Sequence, residues 1–498
     1  MLAAQGGNME GNTGNASTSR LILPVAVFAA LFVLRLPALM HPVLDVDEAI
    51  YGLFARVWFD GGTPYVDCVE TKPLGIYAFY GFIFSLFGKF NMIAVHAATI
   101  GVVGLTALVI GKIAVLVSPA LKDPDGAKGS VGWLAALLYL VFSTTYIPKV
   151  IATTIEPILL LFTVLQFWLW MRFEREGKWR IALASGVAFS AACCFKYQAG
   201  MNLIVMLAYL SAARPAALGR SGLGRSLKGF AIFLAGAVPV PLAMLACLHQ
   251  AGALDGFIFW NVSGNAAYIS GGASSISLAG QLLKRVLPYV ASTALLWVLT
   301  AIGSVRLFRG LKHREAEGLV ISHRLLVFLW FVLSIVPVSA GYRFYGHYFL
   351  LLLPPMSVLA APVLLSILNS RRKLTAWLAI FWIALPAAGF FAARFFIPEI
   401  NRAFGEDNLA DYGPAAEYAA ANTRPSDRIV VWGFAPMIYW GSERLPGTRF
   451  FWSDLLVGRV PGSKKGDGGE SEGMREAWEM FMADMERHRP ALFIDTSP

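Results

Sequence analysis

A cluster of carboxylates follows the first long apolar run of the sequence, within the polar segment 41–90. Its six members are Asp45, Asp47, Glu48, Asp60, Asp67 and Glu70. Asp47 and Glu48 come within a few residues of the apolar run, so we expect them to be pressed against apolar surface, where a desolvated carboxylate is a stronger base. Such a group is suited to take a proton from a hydroxyl group. Clustered carboxylates also suit hard divalent cations such as Mg²⁺ or Mn²⁺, and this alternative stays open.

Four cationic side chains have positions that suit a phosphate-bearing ligand: Lys72, Lys196, Arg343 and His347. Arg343 and His347 are four residues apart in the segment GYRFYGHY, which is about one helical turn. An arginine can contact two phosphate oxygens at once, and a lysine acts as a point charge. Cations near a membrane surface can instead contact lipid head groups, and we favour that interpretation for Lys89 and Lys284.

Further carboxylates have positions that suit a supporting role. Glu156 opens a later apolar run, and a carboxylate at the edge of a membrane is costly, which makes it a functional candidate. Asp67 and Glu70 belong to the same polar segment as Asp47. We expect the three to shape the site or to hold a divalent cation, whereas the simpler alternative is an acidic loop that faces water.

The elements that position these residues are apolar runs long enough to cross a membrane. Of the 498 residues, 57% are hydrophobic and 14% are charged, against about 25% charged in typical soluble domains. About 20 apolar residues span a hydrocarbon core of about 30 Å. The sequence therefore predicts a polytopic α-helical membrane protein with about eleven spans. We place them near 21–40, 91–117, 131–148, 157–171, 181–195, 199–213, 229–249, 288–305, 325–340, 348–368 and 374–396.

The distribution of Lys and Arg predicts the orientation. With the N-terminus in the cytoplasm, the cytoplasmic loops contain nineteen basic residues and the opposite loops contain eight, which is the bias of the positive-inside rule. The net charge of +10 then needs no nucleic-acid partner. We expect a protein of the bacterial inner (plasma) membrane, surrounded by lipids. Residues 74–87 are apolar but short, so they are predicted to form a helix in the membrane interface.

The composition divides the chain into three parts. Residues 1–20 are rich in Gly, Asn and Ser and are predicted to be a disordered cytoplasmic tail, and 21–396 form the transmembrane catalytic domain. Residues 397–498 are predicted to form a small extracytoplasmic α/β domain, with a flexible loop at 461–473. Its predicted helices lie at 412–422 and 474–488, and its strands at 428–433 and 491–496.

Five short motifs contain most of the candidate site residues described above. Together they resemble the family 39 glycosyltransferases of the GT-C superfamily, which include protein O-mannosyltransferases and the aminoarabinose transferases that modify lipid A. The resemblance covers nearly the whole membrane part. One departure is Leu74, because the family often has KPP where this chain has KPL. The segments that carry the resemblance are DVDEAIYG, GGTPYVDCVETKPLGIY, TTIEP, FKYQAG and YRFYGHYFLLLLPP.

The resemblance implies a GT-C-type membrane fold and a polyprenyl-phosphate-linked sugar as donor. It implies transfer, with inversion, to a hydroxyl acceptor of the cell envelope: a lipid, polysaccharide or protein. Asp47 would be the general base or its close partner, with Glu48 beside it. Lys72 and Arg343 would hold the donor phosphate, and Glu156 would shape the site or bind a cation.

The rival interpretation is a secondary transporter or a flippase for lipid-linked sugars. Transporters place ionisable groups near the middle of the membrane and often consist of repeated halves. The predicted spans contain few ionisable residues, and the sequence has no apparent internal repeat. We therefore favour the transferase.

Overall fold

The computed structural model describes nine stretches of the chain, and the statements that follow concern these. The first twelve residues and most of the predicted loop 461–473 lie outside them, and the first helix begins at Thr13. The described stretches are 13–40, 42–118, 127–144, 152–212, 219–263, 278–313, 318–397, 412–457 and 472–496.

Eleven helices make up the first part of the described chain. Residues typical of helix caps mark two helix ends: Asp45 caps the start of the second helix, and Gly177 ends the sixth in the left-handed conformation at a φ of 71°. The helices are α1 (Thr13–Arg35), α2 (Val46–Phe59), α3 (Gly75–Phe87), α4 (Met92–Leu116), α5 (Ala127–Ser143), α6 (Ile155–Glu176), α7 (Trp179–Phe195), α8 (Met201–Ala212), α9 (Gly219–Ala237), α10 (Pro239–Gln250) and α11 (Leu254–Ile258).

The remaining helices of the membrane part follow the same apolar pattern, and short 3₁₀ turns connect several of them. Two of these turns, Tyr197–Gly200 and Gly346–Leu352, carry candidate site residues at or next to their starts. The helices are α12 (Leu278–Gln281), α13 (Leu287–Ser292), α14 (Ala294–His313), α15 (Gly318–Leu333), α16 (Ile335–Ser339), α17 (Leu353–Leu368) and α18 (Lys373–Phe396).

Seven helical segments of the described chain are long and apolar enough to cross a membrane. An eighth is added if Leu278–Ser292 and Ala294–Arg309, bent by 73°, form one span. All eight coincide with predicted spans, so the prediction of a polytopic helical membrane protein is confirmed at seven or eight spans. The other three predicted spans correspond to α5, α7 and α8, with 17, 17 and 12 residues, and the count of eleven stays a prediction.

The helices pack closely where their facing residues are small. α4 packs on α5 and α6, and α6 on α7, which crosses α9. At that crossing a Cβ on Gly186 would collide with the carbonyl oxygen of Phe233, and one on Gly236 with that of Leu183. Small residues that allow two backbones to approach are typical of helix contacts in membranes. This packing holds the ends of α6 and α7, which carry site residues, at fixed positions.

A small parallel sheet forms the core of the C-terminal region. Three strands, β1 (Arg428–Trp432), β2 (Leu445–Pro446) and β3 (Leu492–Asp495), lie in the order β2-β1-β3, with Ile429 opposite Leu492. The predicted strands and helices of this region are present. Its helices are α19 (Gly413–Asn422), α20 (Met437–Ser442) and α21 (Glu472–His488).

The C-terminal region contacts the segment that carries the acidic cluster. The Trp440 indole N–H donates to the carbonyl oxygen of Ala49 at 2.8 Å, and its ring covers Gly52, where a Cβ would collide with it. The backbone N–H of Val69 donates to the carbonyl oxygen of Arg449 at 3.1 Å. Helix α2 and the loop after it are therefore held by the C-terminal region.

Candidate active site

The predicted acidic pair lies in the first turn of α2. The Asp45 carboxylate accepts a hydrogen bond from the backbone N–H of Asp47 at 2.9 Å and caps the helix. Negative charge is favourable at this end of a helix, which explains why Asp47 and Glu48 are tolerated there. Because consecutive residues of a helix point about 100° apart, the two side chains have different surroundings.

Glu48 is fully buried and fixed by three neighbours. Its carboxylate accepts from the backbone N–H of Leu44 at 2.7 Å and from that of Thr153, and it lies 2.9 Å from the Nε2 atom of His96. These contacts join α2 to α4 and to the segment before α6. The Asp47 side chain, by contrast, is half-buried and makes no hydrogen bond or ion pair with any described residue.

Glu156, Lys196 and His347 come together from three parts of the chain. The Lys196 Nζ atom lies 2.5 Å from the Glu156 Oε1 atom, and the His347 Nε2 atom lies 4.0 Å from that oxygen. The Lys196 ammonium also lies over the Tyr348 ring, 4.2 Å from its centroid. Glu156 is buried, whereas the side chains of Lys196 and His347 are 15% and 24% exposed. The Lys196 ammonium and the His347 imidazole therefore lie near this carboxylate and keep part of their surface exposed.

Lys72 is held beside Glu70 in the loop between α2 and α3. Its Nζ atom lies 3.0 Å from the Glu70 carboxylate, which also accepts from the Tyr77 hydroxyl at 3.1 Å. The Tyr65 hydroxyl donates to the carbonyl oxygen of Lys72 at 2.7 Å, and the amide of buried Asn261 lies 3.0 Å from the same oxygen. These contacts fix the backbone of the loop while the Lys72 side chain stays 30% exposed.

Arg343 belongs to a group of aromatic and basic side chains. Its Nη1 atom donates to the Tyr345 hydroxyl at 3.2 Å, and the Tyr345 ring stacks on His347 with 5.8 Å between the ring centroids. The Arg285 guanidinium lies over the Tyr345 ring, 4.9 Å from its centroid. Two guanidinium groups, those of Arg343 and Arg285, and the His347 imidazole are thus arranged around one tyrosine.

The separate groups form one electrostatic cluster. The charges of Glu156, Lys196, Asp47 and Lys72 all act on the His347 imidazole. The structure therefore brings Asp47, Glu156, Lys72, Lys196 and His347 near one another, and that they lie on the outer side of the membrane stays a prediction. Within the described residues, no group of three or more His, Cys, Asp and Glu side chains is arranged to hold a metal ion; the carboxylates there have cationic and aromatic neighbours instead.

Asp67 is oriented toward the C-terminal region. Its carboxylate accepts from the backbone N–H of Thr63 at 2.8 Å and lies 3.6 Å from the Arg487 guanidinium in α21. A nearby pair, Arg449 and Asp484, is bidentate at 2.8 and 2.9 Å, and the Asp484 carboxylate raises the pKa of Arg449. The described contacts give Asp67 a place in this interface, apart from Lys72 and Glu156.

Sequence reasoning missed two members of the site. They are Arg285 and Tyr345, and neither stands out from the sequence as a site residue. The available signals were the basic pair Lys284–Arg285 before an apolar helix and the repeated tyrosines in YRFYGHY. Neither signal shows that Arg285 and Tyr345, which are far apart in sequence, are in contact.

The fold is similar to that of solved membrane glycosyltransferases. ArnT from Cupriavidus metallidurans bound to undecaprenyl phosphate matches with a TM-score of 0.58 and 13% identity over 86% of each chain. Its apo structure matches with a TM-score of 0.54 and 12% identity, over 87% of this chain and 86% of that one. No family model and no curated protein matches the sequence.

An archaeal enzyme shares the same architecture. The Archaeoglobus fulgidus oligosaccharyltransferase tethered to an acceptor peptide matches with a TM-score of 0.55 and 12% identity. The match covers 86% of this chain but 63% of that one, so this chain corresponds to about two thirds of the archaeal protein. The protein is therefore a polytopic helical membrane protein with a GT-C-like fold. Identities this low show the fold alone.

Proposed function

We propose that the protein is a membrane glycosyltransferase that moves a sugar from a polyprenyl-phosphate donor to a hydroxyl acceptor, with inversion. One observation carries the proposal: Asp47, a half-buried carboxylate without a partner in the described chain, acts on the same imidazole, His347, as the partly exposed Lys72 and Lys196. This is the charge distribution that the reaction needs, because a base and a phosphate leaving group must lie on opposite sides of one sugar carbon.

The cations are assigned to the donor phosphate. Lys72, Lys196, Arg343 and His347 take this role, and Arg285 joins them through the Tyr345 network. A phosphate oxygen gains negative charge as the glycosidic bond breaks, and fixed cations stabilise that charge. Two of the structures with a similar fold hold undecaprenyl phosphate and dolichol-phosphate, which supports a polyprenyl phosphate as the ligand.

Asp47 is assigned as the general base. The acceptor oxygen attacks the anomeric carbon, its proton passes to the Asp47 carboxylate, and the bond from that carbon to the phosphate oxygen breaks. The electron pair of this bond stays on the released polyprenyl phosphate. A single displacement inverts the anomeric carbon. Glu48 is assigned a positioning role because its carboxylate is already occupied by His96 and two backbone N–H groups.

The other carboxylates support the cations. Glu156 holds Lys196 and Glu70 holds Lys72, so each lysine is oriented by a buried acid. We also propose that the protein belongs to the family 39 glycosyltransferases. Its acceptor is a lipid, polysaccharide or protein of the cell envelope.

We propose that this site lies on the extracytoplasmic side, following the count of basic residues in the loops. A reporter that is active only outside the cytoplasm, fused after Pro498, should be active, and the same reporter near Lys228 should be inactive. The reverse pattern would place the acidic cluster in the cytoplasm and contradict the proposed orientation.

The test of the function is a panel of polyprenyl-phosphate sugars offered to the purified protein in lipid nanodiscs. Transfer should release polyprenyl phosphate in the presence of one sugar donor and a suitable envelope extract, and the product should have the inverted configuration. Movement of a fluorescent lipid-linked sugar across a proteoliposome bilayer, without bond cleavage, would instead support a flippase. A panel without cleavage or binding contradicts the proposal.

A further inference from the structure

Tyr51 lies one helical turn after Asp47 on α2. Residues four apart on a helix share a face, and a long side chain leans toward the N-terminal end of its helix. The Tyr51 ring therefore leans toward the turn that carries Asp47. The residue as a whole is 2% exposed.

Two neighbouring tyrosines fix the Tyr51 ring. Its centroid lies 5.9 Å from that of Tyr77 and 6.3 Å from that of Tyr80, both in edge-on contacts. The two neighbours use their hydroxyls: Tyr77 donates to Glu70 at 3.1 Å and Tyr80 to the carbonyl oxygen of Thr153 at 2.7 Å. The Tyr51 ring is thus packed against two tyrosine rings whose positions are fixed by hydrogen bonds of their hydroxyls.

The Tyr51 hydroxyl differs from those of its neighbours. It forms no hydrogen bond with any described residue, and its oxygen is not fully enclosed although the residue is 2% exposed, so a ligand atom can reach it. Burial first, and then the charges of the carboxylates around it, raise the pKa of Tyr51 well above its usual value. These carboxylates are Asp47, Glu70, Glu156 and Asp45. The phenol therefore keeps its proton and is able to donate a hydrogen bond to an oxygen of a ligand.

The Tyr51 hydroxyl lies near the proposed base and near the acids that hold two of the lysines, because the charges of Asp47, Glu70 and Glu156 all act on it. The cations assigned to the phosphate are Lys72, Lys196, Arg343 and His347, whereas Tyr51 shares its helix face with the proposed base. A sugar positioned for attack has its anomeric carbon between base and phosphate, so groups on the Asp47 face are within reach of its ring oxygen or its hydroxyl groups.

We propose that the Tyr51 hydroxyl binds an oxygen of the sugar that is transferred, so that Tyr51 contributes to recognition of the sugar and not of the polyprenyl phosphate. This inference rests on the proposed function. A site with a buried donor for one ligand oxygen discriminates against ligands that lack that oxygen, because the donor is then left without a partner.

The test uses Tyr51→Phe, which removes one oxygen and keeps the ring. We expect kcat/KM for the glycosylated donor to fall roughly tenfold to a hundredfold. The affinity for undecaprenyl phosphate without a sugar should stay at the wild-type value. The matched control is Tyr139→Phe in α5, because that tyrosine is also buried and its hydroxyl has no partner among the described residues, but it lies beside Arg35.

Four outcomes separate the possibilities. Equal kinetics for Tyr51→Phe and Tyr139→Phe would overturn the inference, and so would an equal loss of affinity for glycosylated and sugar-free lipid by Tyr51→Phe. Wild-type protein that binds no polyprenyl phosphate would overturn the proposed function, and this inference with it. A selective loss for the glycosylated donor, with thermal unfolding unchanged, supports the role in sugar recognition.

Discussion

Helix α6 carries a buried carboxylate near each of its ends, and the two differ in what surrounds them. In the first turn, Glu156 is bound to Lys196 and lies near His347, both of which are partly exposed. Near the last turn, Glu174 accepts from Tyr209 at 2.8 Å and from Ser226 at 3.2 Å, and lies 3.1 Å from His323. Every one of these partners of Glu174 is buried.

In terms of the proposed function, the difference separates an arrangement suited to a ligand from one that joins helices. Around Glu174 the chain itself supplies the partners, and the contacts join α6 to α8, α9 and α15 with little surface left for a ligand. Around Glu156 the carboxylate holds cations that keep part of their surface exposed. A buried acid is costly in a membrane in either case, so burial alone does not identify a site. The exposed surface of the groups that contact the acid is the better indicator of a site.

The adjacent residues Asp47 and Glu48 differ in a similar way, because the chain supplies partners for Glu48 but not, among the described residues, for Asp47. Substituting Asp47 is expected to have the largest effect on turnover. Asp47→Asn keeps the size of the side chain but cannot take the acceptor proton, so turnover at saturating donor should fall roughly 10²- to 10⁴-fold. Glu48→Gln should mainly lower the Tm, because it disturbs the contact with His96. Turnover and thermal unfolding of both variants check this.

The opposite result would reassign the base. If Asp47→Asn keeps its turnover while correctly folded Glu48→Gln is inactive, the base is Glu48, and its hydrogen bonds must rearrange during the reaction. If both variants stay active, the reacting atoms lie elsewhere in the structure.

The second prediction compares two cations. Arg343→Ala should reduce kcat/KM for the donor roughly tenfold to a hundredfold, because one charge-assisted contact to the phosphate is lost. The control is Lys89→Ala: this side chain is 65% exposed and pairs with Asp60, as a residue near lipid head groups would. Donor kinetics and affinity for undecaprenyl phosphate should change for the first variant only. Equal effects would remove the distinction between site and surface cations.

The sequence predicted the helices better than the contacts between their ends. Long apolar runs predict spans because the membrane requires them, and the strands of the C-terminal region were equally visible. The roles within the acidic pair were not, because the neighbours that occupy Glu48 are His96 and Thr153, 48 and 105 residues away. The contact between Glu174 and His323 joins residues 149 apart in sequence, and no local pattern indicates it.

The third prediction changes both ends of α6 in the same way. Glu174→Gln leaves His323 and Tyr209 without their charged partner, which should cost about 1–3 kcal/mol of stability and lower the Tm. Turnover per folded molecule at a permissive temperature should stay at the wild-type value, since the proposed site is at the other end of the helix.

Glu156→Gln should instead release Lys196 and lower kcat/KM for the donor, with donor binding affected more than folding. Thermal unfolding in detergent and donor kinetics measure the two effects separately. If Glu174→Gln abolishes turnover in a folded protein, the contacts at that end take part in the function, and the contrast between the two ends would not hold.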